Sequence, residues 1–383
     1  MESFSMKKEN NNDFVVTPYE VQGKVDYDKL MERFGTEPID QALLERIRKH
    51  TGDLHFMLRR GTFFTHRDMN FILDQWEKGN KYYLYTGRGP SEDIHLGHLV
   101  PWIFTRWLQE KFKVKFIFQL TDDEKFLFEE KLSKEDTYSY AIENACDVIA
   151  LGFDPKNTEI IIDTDNAQTF YNIALPIAKK ITYSTVKASF GFDNSINIGS
   201  VFYTSIQAVP AVLESYRQGK NVPCLIPHAI DQDPHFRLAR DVLPRLGYYK
   251  PASIQCSFLP ALGGPEGKMS ASDPTQTVYV TDDPKTVEMK IKKHAFSGGQ
   301  VSITEHRKKG GNPDIDVSFQ WLKILFEPDD KKVKTLEEDY RNGDLLTGEL
   351  KAILIEKINT FLESHRTKRE KARDKLDDYL VKD

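Results

Sequence analysis

Cysteine is scarce in this sequence. Three occur in 383 residues, Cys146, Cys224 and Cys256, far apart and without the paired spacing of a zinc ligand set. That excludes a disulfide framework and a cysteine-based metal centre, and the three read as small core residues. No apolar run approaches the ~18 residues that span a bilayer. Residues 1–13 are polar and charged and lack the apolar core of an export signal. Both absences predict a cytoplasmic protein with no membrane segment. Internal repeats and long low-complexity segments are missing too. Net positive charge is absent, since the formal charge is −5. Contact with nucleic acid would therefore need local basic patches. Residues 285–309 and 366–375 are two such patches, and on charge alone each reads first as a solvated helix face.

What is present suits a large core: 39% of residues are hydrophobic, and the length suggests two or three domains. Residues 14–21 could form a short extended piece. From Asp26 the spacing turns helical, with Leu30 and Phe34 four apart and Leu43, Leu44 and Ile47 continuing the period. Residues 68–76 predict another helix, so residues 1–78 read as a mainly helical extension. After Gly79, short apolar runs at residues 82–85, 114–120, 160–162, 223–226 and 254–258 alternate with helical stretches near 98–112 and 133–151. That alternation predicts an α/β domain over residues 79–283, its parallel sheet covered on both faces. From Pro284 only helical spacing is evident, which predicts an all-helical domain over residues 284–383.

Two constellations carry chemistry. Thr86, Gly87, Arg88, Gly89 and Pro90 follow a predicted strand, and His95-Leu96-Gly97-His98 opens a helix. A helix start leaves backbone N–H groups unpaired and carries partial positive charge, so phosphates bind there. His95 and His98, three apart, face one way. Gly97 lets a flat base approach the backbone. The second constellation is Lys268-Met269-Ser270-Ala271-Ser272, flanked by Gly263, Gly264 and Gly267. A mobile lysine there could close over a triphosphate. Either motif alone reads as a helix cap or a surface turn. Chance is a poor account of both in this order, with a sheet pattern between.

The pair is similar to the signature motifs of class I aminoacyl-tRNA synthetases. The surrounding blocks YYLYTGRGPSEDIHLGH, QLTDDEK, LIPHAIDQDPHFRLARD, KMSASDP and HAFSGG resemble those of eukaryotic, cytoplasmic tryptophanyl-tRNA synthetases. The resemblance runs from about Asp26 to the C-terminal helices. It implies a Rossmann-like catalytic domain with an N-terminal helical extension and a C-terminal helical anticodon-binding domain. It implies ATP, with Mg²⁺ as its substrate complex, together with tryptophan and tRNA(Trp), and a homodimer. By position it implies an ATP cradle of Arg88, Gly89, His95, Gly97, His98, Ala229 and Asp231, closed by Lys268, Met269 and Ser270. His95, His98, Lys268 and Ser270 would serve catalysis. Tyr85 and Gln119 would read the indole N–H, Glu124 and Gln207 the amino group, while Gln232 and Phe236 would line the pocket. No bound metal is implied. The general class I loop has a second lysine where Ala271 stands, a pattern that the eukaryotic tryptophanyl enzymes share.

The same residues have plainer readings. Tyr85 at a strand end reads as core, and a buried Gln119 needs partners that a core network could also supply. Asp122, Asp123 and Glu124 could be a solvated helix start, and Asp231 and Asp233 could cap the helix near Pro234. Three rival functions are a tyrosyl-tRNA synthetase, a small nucleotidyltransferase using His-x-Gly-His, and a non-catalytic paralogue.

Overall fold

The computed structural model describes residues 14–16, 21–23, 25–265, 268–269 and 273–383. Ten strands occur in it: β1 (Val15–Val16), β2 (Val21–Gln22), β3 (Glu37–Pro38), β4 (Phe63–Arg67), β5 (Tyr83–Arg88), β6 (Lys115–Leu120), β7 (Thr158–Ile162), β8 (Cys224–Ala229), β9 (Ala252–Cys256) and β10 (Leu380–Val381). β1 and β2 form a separate antiparallel ribbon. The other eight make one sheet in the order β10-β7-β6-β5-β8-β9-β4-β3. β10, β7, β6, β5, β8 and β9 run parallel. β4 and β3 continue the sheet antiparallel. The sheet is therefore mixed and larger than the sequence pattern predicts. It takes two strands from the mainly helical N-terminal part and one from the C-terminal part, where no strand was expected. β3 and β10 have two residues each, too short for an alternation to register.

The pleat divides the central strands between two cores. Successive side chains point to opposite faces. Leu84, Phe116, Phe118, Ile160, Ile162 and Leu225 join one buried cluster, and Tyr83, Tyr85, Ile117, Ile161, Cys224 and Ile226 join the other. Burying each such large apolar side chain contributes roughly 1.5–3 kcal/mol. Helices Leu96–Phe112 and Lys134–Ala150 pack with the first cluster, and helices Ala167–Ala178 and Asp233–Val242 with the second. All three cysteines are buried free thiols.

Chain order fixes where a cleft must open. From β5 the chain steps to β6 and β7 on one side, then crosses to β8 and β9 on the other. The loops leaving β5 and β8 therefore diverge at their carboxyl ends, the usual ligand crevice of such sheets. Gly87 is needed there: a Cβ on it would stand 2.5 Å from the Gln119 backbone oxygen. The C-terminal helix Thr347–Ala372 is anchored beside this region. Its Arg369 Nε donates to Asp147 Oδ1 at 2.7 Å, and its His365 Nε2 lies 3.0 Å from the same oxygen.

Candidate functional site

The β5 strand carries Tyr85 to its carboxyl end and releases the chain as the Arg88–Gly89 turn. Arg88 Nε donates to Gly89 O at 3.1 Å and its Nη2 donates to Ser91 Oγ, while Nη1 is buried with no partner among the described residues. Burial lowers the Arg88 pKa to about 10, so the guanidinium stays charged at neutral pH. Asn144 clamps the loop from below: its Oδ1 accepts from Ser91 N at 3.2 Å, and its Nδ2 donates to Ser91 O at 2.9 Å.

His95 stands at the cap of helix Leu96–Phe112 without closing it by a side-chain bond. Its ring stacks on His98, centroids 3.6 Å apart. Both Nδ1 atoms are buried with no partner among the described residues. Burial, then the charge of Arg88, pushes His95 down to about 3. Burial and then His95 itself hold His98 well below the usual imidazole range. Both rings are therefore neutral near pH 7, able to exchange hydrogen bonds while adding no charge of their own. Gly97 lies under the His95 ring: a Cβ there would stand 3.0 Å from His95 Nδ1 and 3.6 Å from Met269 Cβ.

The two distant motifs converge. Met269 is buried, with its N–H donating to Leu259 O at 3.3 Å. Lys268 Nζ donates to Asp231 Oδ2 at 2.6 Å, and its charge lowers the pKa of both His95 and His98. The chain after the loop returns to the helix start, with Leu96 N donating to Val278 O at 3.0 Å and Val280 N to Ile94 O at 2.9 Å. Ser270 lies outside the described residues. Asp231 follows Ala229, the last residue of β8, and keeps its Oδ1 buried without a partner among the described residues. Neither Asp231 nor Asp233 caps the following helix. Asp233 instead accepts from Arg67 Nε and Nη2, both at 2.8 Å, tying β4 to that helix.

Beside this cluster lies a cavity of about 70 Å³. Tyr85, Glu124, Gln207, Gln232 and Phe236 line it, with the Arg88–Gly89 turn at one side. Tyr85 meets Phe236 edge-on, centroids 6.0 Å apart. Its hydroxyl donates to Gln119 Oε1 at 2.6 Å and accepts from Gln207 Nε2 at 2.9 Å. Gln119 is wholly buried, and its Nε2 donates to Asp163 Oδ1 at 3.0 Å and Oδ2 at 2.8 Å. Glu124 Oε2 accepts from Thr121 Oγ1 at 2.6 Å, and burial raises its pKa.

The acidic run beside it is no solvated helix start. Asp122 is buried and accepts from Thr164 N at 3.1 Å and Oγ1 at 2.5 Å. Asp123 shares a hydrogen bond with Asp163. Among the described residues no group of three His, Cys, Asp or Glu side chains could hold a metal ion, and no helix is long and apolar enough to cross a membrane.

The sequence reading missed Asp163, Asn144, Tyr203 and His228. Tyr203 donates its hydroxyl to Gln207 Oε1. His228 lines the cavity, its Nδ1 against Ala229 O at 2.8 Å and its Nε2 unpartnered among the described residues. The one available signal was position: Asp163 directly follows β7, and His228 lies near the end of β8.

Residues 77–363 match the family described as tRNA synthetases class I (W and Y). The chain is 55% identical to a tryptophan–tRNA ligase of Sulfolobus acidocaldarius over 377 residues, 97% of each chain. The structure superposes on a tryptophanyl-tRNA synthetase of Giardia lamblia with a TM-score of 0.86 and 40% identity, over 93% of this chain and 96% of that one. It superposes equally well, TM-score 0.86 at 39% identity, on the enzyme of Encephalitozoon cuniculi bound to tryptophan, covering 93% and 98%. A purely eukaryotic label is thus narrower than the likeness, which is higher toward the archaeal enzyme. With the motif pair joined at one switch-point cleft and these matches spanning nearly its whole length, the chain belongs to the class I tRNA synthetases, in the family of tryptophan–tRNA ligases.

Proposed function

We propose that the cleft between β5 and β8 activates tryptophan with ATP and passes it to the 3′-terminal ribose of tRNA(Trp). The observation that carries this reading is the convergence of His95, His98 and Lys268 next to a cavity lined by Tyr85, behind which Gln119 is hydrogen-bonded to the Tyr85 hydroxyl. The tryptophan carboxylate attacks the α-phosphate of ATP in line, forming tryptophanyl-adenylate and releasing pyrophosphate. The nucleophile comes with the substrate, so the chain supplies positioning and charge stabilisation. ATP arrives as its Mg²⁺ complex. Arg88, Gly89, His95, Gly97, His98, Ala229 and Asp231 cradle the nucleotide. Their buried unpartnered atoms, Arg88 Nη1, both Nδ1 atoms and Asp231 Oδ1, support this role, since such groups in a native fold call for a ligand or water. Lys268 leaves Asp231 for the phosphates, with Met269 as the fixed pivot beside it and Ser270 following on the loop. The ribose 2′-hydroxyl of the tRNA then attacks the tryptophanyl carbonyl, forming the ester as the acyl–phosphate bond breaks and AMP leaves with the proton going to solvent.

Tyr85 and Gln119 present an acceptor to the indole N–H, Glu124 and Gln207 take the amino group, and Phe236 and Gln232 bound the ring. Divisions at 1–78, 79–283 and 284–383 describe roles rather than separate cores, since β3, β4 and β10 all join the central sheet. Residues 284–383 read the anticodon. Within the first basic patch Lys285, Lys293 and Lys308 are exposed, and the neighbouring Phe296 is 42% exposed, an aromatic surface on which a base can stack. In the second patch Arg369 and Arg373 are engaged with Glu143, which favours a structural role there. The enzyme works in the cytoplasm as a homodimer. The exposed Tyr171, Leu175, Tyr183 and Ile198, beside a groove of about 470 Å³, offer an apolar face for the second copy.

ATP–pyrophosphate exchange with each of the twenty amino acids tests the reading. Tryptophan should drive it alone; faster exchange with tyrosine would overturn the specificity.

A further inference from the structure

The hydrogen-bond chain that begins at the cavity wall with Gln207 and Tyr85 continues inward through Gln119 to Asp163, and neither of these last two lines the cavity. Asp163 follows β7 directly, and its backbone N–H donates to Leu120 O at 3.2 Å, which fixes it against the end of β6. Both its carboxyl oxygens accept from Gln119 Nε2, at 3.0 and 2.8 Å. We propose that Asp163 is a positioning residue that sets which end of the Gln119 amide faces the indole, and so helps to set specificity for tryptophan. The inference rests on the tryptophan pocket proposed above.

A buried amide can turn by half a rotation with little steric change, exchanging acceptor for donors. Turned that way, Gln119 would show an NH₂ group to an indole N–H, donor against donor. Tyr85 alone cannot prevent this. Its hydroxyl donates to Gln119 Oε1 at 2.6 Å, but a hydroxyl rotates and would as readily accept from NH₂. Asp163 does discriminate, because its retained proton is committed to Asp123 and what it turns toward Gln119 is acceptor oxygen. Against it, a turned Gln119 would put oxygen on oxygen in a site that water does not reach, the costly kind of unmet polar contact. Asp163 can afford to be buried because it is not alone. Its carboxyl is hydrogen-bonded to that of Asp123. Burial, against the opposing pull of the hydrogen bond with Asp163, pushes Asp123 up to about 7, while burial and then the charge of Asp123 hold Asp163 well above the usual carboxylate range. The two acids thus retain a proton between them, and the oxygens of Asp163 remain available to Gln119.

The test uses pyrophosphate exchange with tryptophan and with its benzothiophene analogue, in which sulfur replaces the ring N–H. In the parent enzyme kcat/KM should favour tryptophan; no preference would remove the pocket reading itself, and the inference with it. In Asp163→Asn, whose amide tolerates either orientation of Gln119, the ratio should fall about tenfold while the KM for ATP stays unchanged. A parent-like ratio in this variant would overturn the inference and leave the pocket reading standing, and equal losses on both substrates would mark a merely structural role and overturn it likewise. A double-mutant cycle sharpens this. Adding Asp163→Asn to Gln119→Leu should change the ratio less than about twofold, because Asp163 acts only through Gln119; multiplied losses would overturn the proposal. Asp123→Asn gives a reading with Asp163 left in place, independent of whether Asp163→Asn folds. It should keep the ratio within about twofold, and a collapse there would equally defeat the role assigned to Asp163.

Discussion

On the side of the cleft proposed for tryptophan, Gln207, Tyr85, Gln119 and Asp163 hand hydrogen bonds to one another. On the side proposed for the phosphates Arg88, His95, His98 and Asp231 each keep a buried polar atom without a partner among the described residues. The first side, His228 Nε2 apart, is a closed network that can select one ring before anything binds. The second is a set of open valences, its single ion pair formed by a lysine on a glycine-flanked loop. Selectivity calls for groups fixed in advance, whereas charge that develops on a phosphate calls for groups left free to meet it. The difference between the two sides teaches that four unmet polar atoms gathered at one helix start and the loops facing it are what a charged ligand can complete.

The largest effect should come from the open side. Lys268→Ala should slow adenylate formation by roughly 10²–10³ and leave tryptophan binding within about twofold, read by single-turnover rates against equilibrium binding. Parallel losses in both would erase the distinction between the sides. On the closed side, Tyr85→Phe strips Gln119 Oε1 and Gln207 Nε2 of a shared partner. It should cost about 1–3 kcal/mol, appearing as a raised KM for tryptophan while the KM for ATP holds. A change in the ATP KM alone would place Tyr85 with the nucleotide.

The sides should also respond to acid with opposite sign. His95 falls from its ordinary 6.5 to about 3 in the folded chain. Its contribution to stability is present above pH 6.5 and is lost as pH drops toward 3. Asp123 rises from 3.8 to about 7, so its contribution is present below 3.8 and is lost as pH climbs through 7. Denaturant midpoints at pH 5 and pH 7 check this. Relative to the parent, His95→Gln should gain more at pH 5, and Asp123→Asn more at pH 7. Slopes of the same sign would break the contrast. The smallest effect should lie outside the cleft. Lys293→Ala should leave exchange untouched and lower the salt dependence of tRNA charging by somewhat less than one unit of log–log slope.

Much of this was legible in the chain itself. The runs at 114–120 and 160–162 became β6 and β7 with small shifts of boundary, because four or more buried residues in a parallel sheet leave a clear apolar signal. Helix Lys134–Ala150 begins at the Ser133–Asp136 capping box, one residue inside its expected start. The contributions of β3 and β10 were not legible, since strands of two residues depend on the edge they join rather than on their own pattern, and β4, Phe63–Arg67, ends in Thr65, His66 and Arg67 and so carries no apolar run. Among site residues, the glycine loop and His-x-Gly-His carry a local pattern. Asp163 carries none; its role exists only because β6 and β7 lie side by side.

The sequence by itself determined the elements with a period of their own, the two motifs and their order along the chain. These follow from local propensity and from spacings of a few residues. Tertiary structure alone decided which distant groups meet: Asp163 with Gln119 across 44 residues, Lys268 with Asp231 across 37. Strand order and pleat parity set those meetings, and both are products of long-range pairing, which no local window of sequence contains.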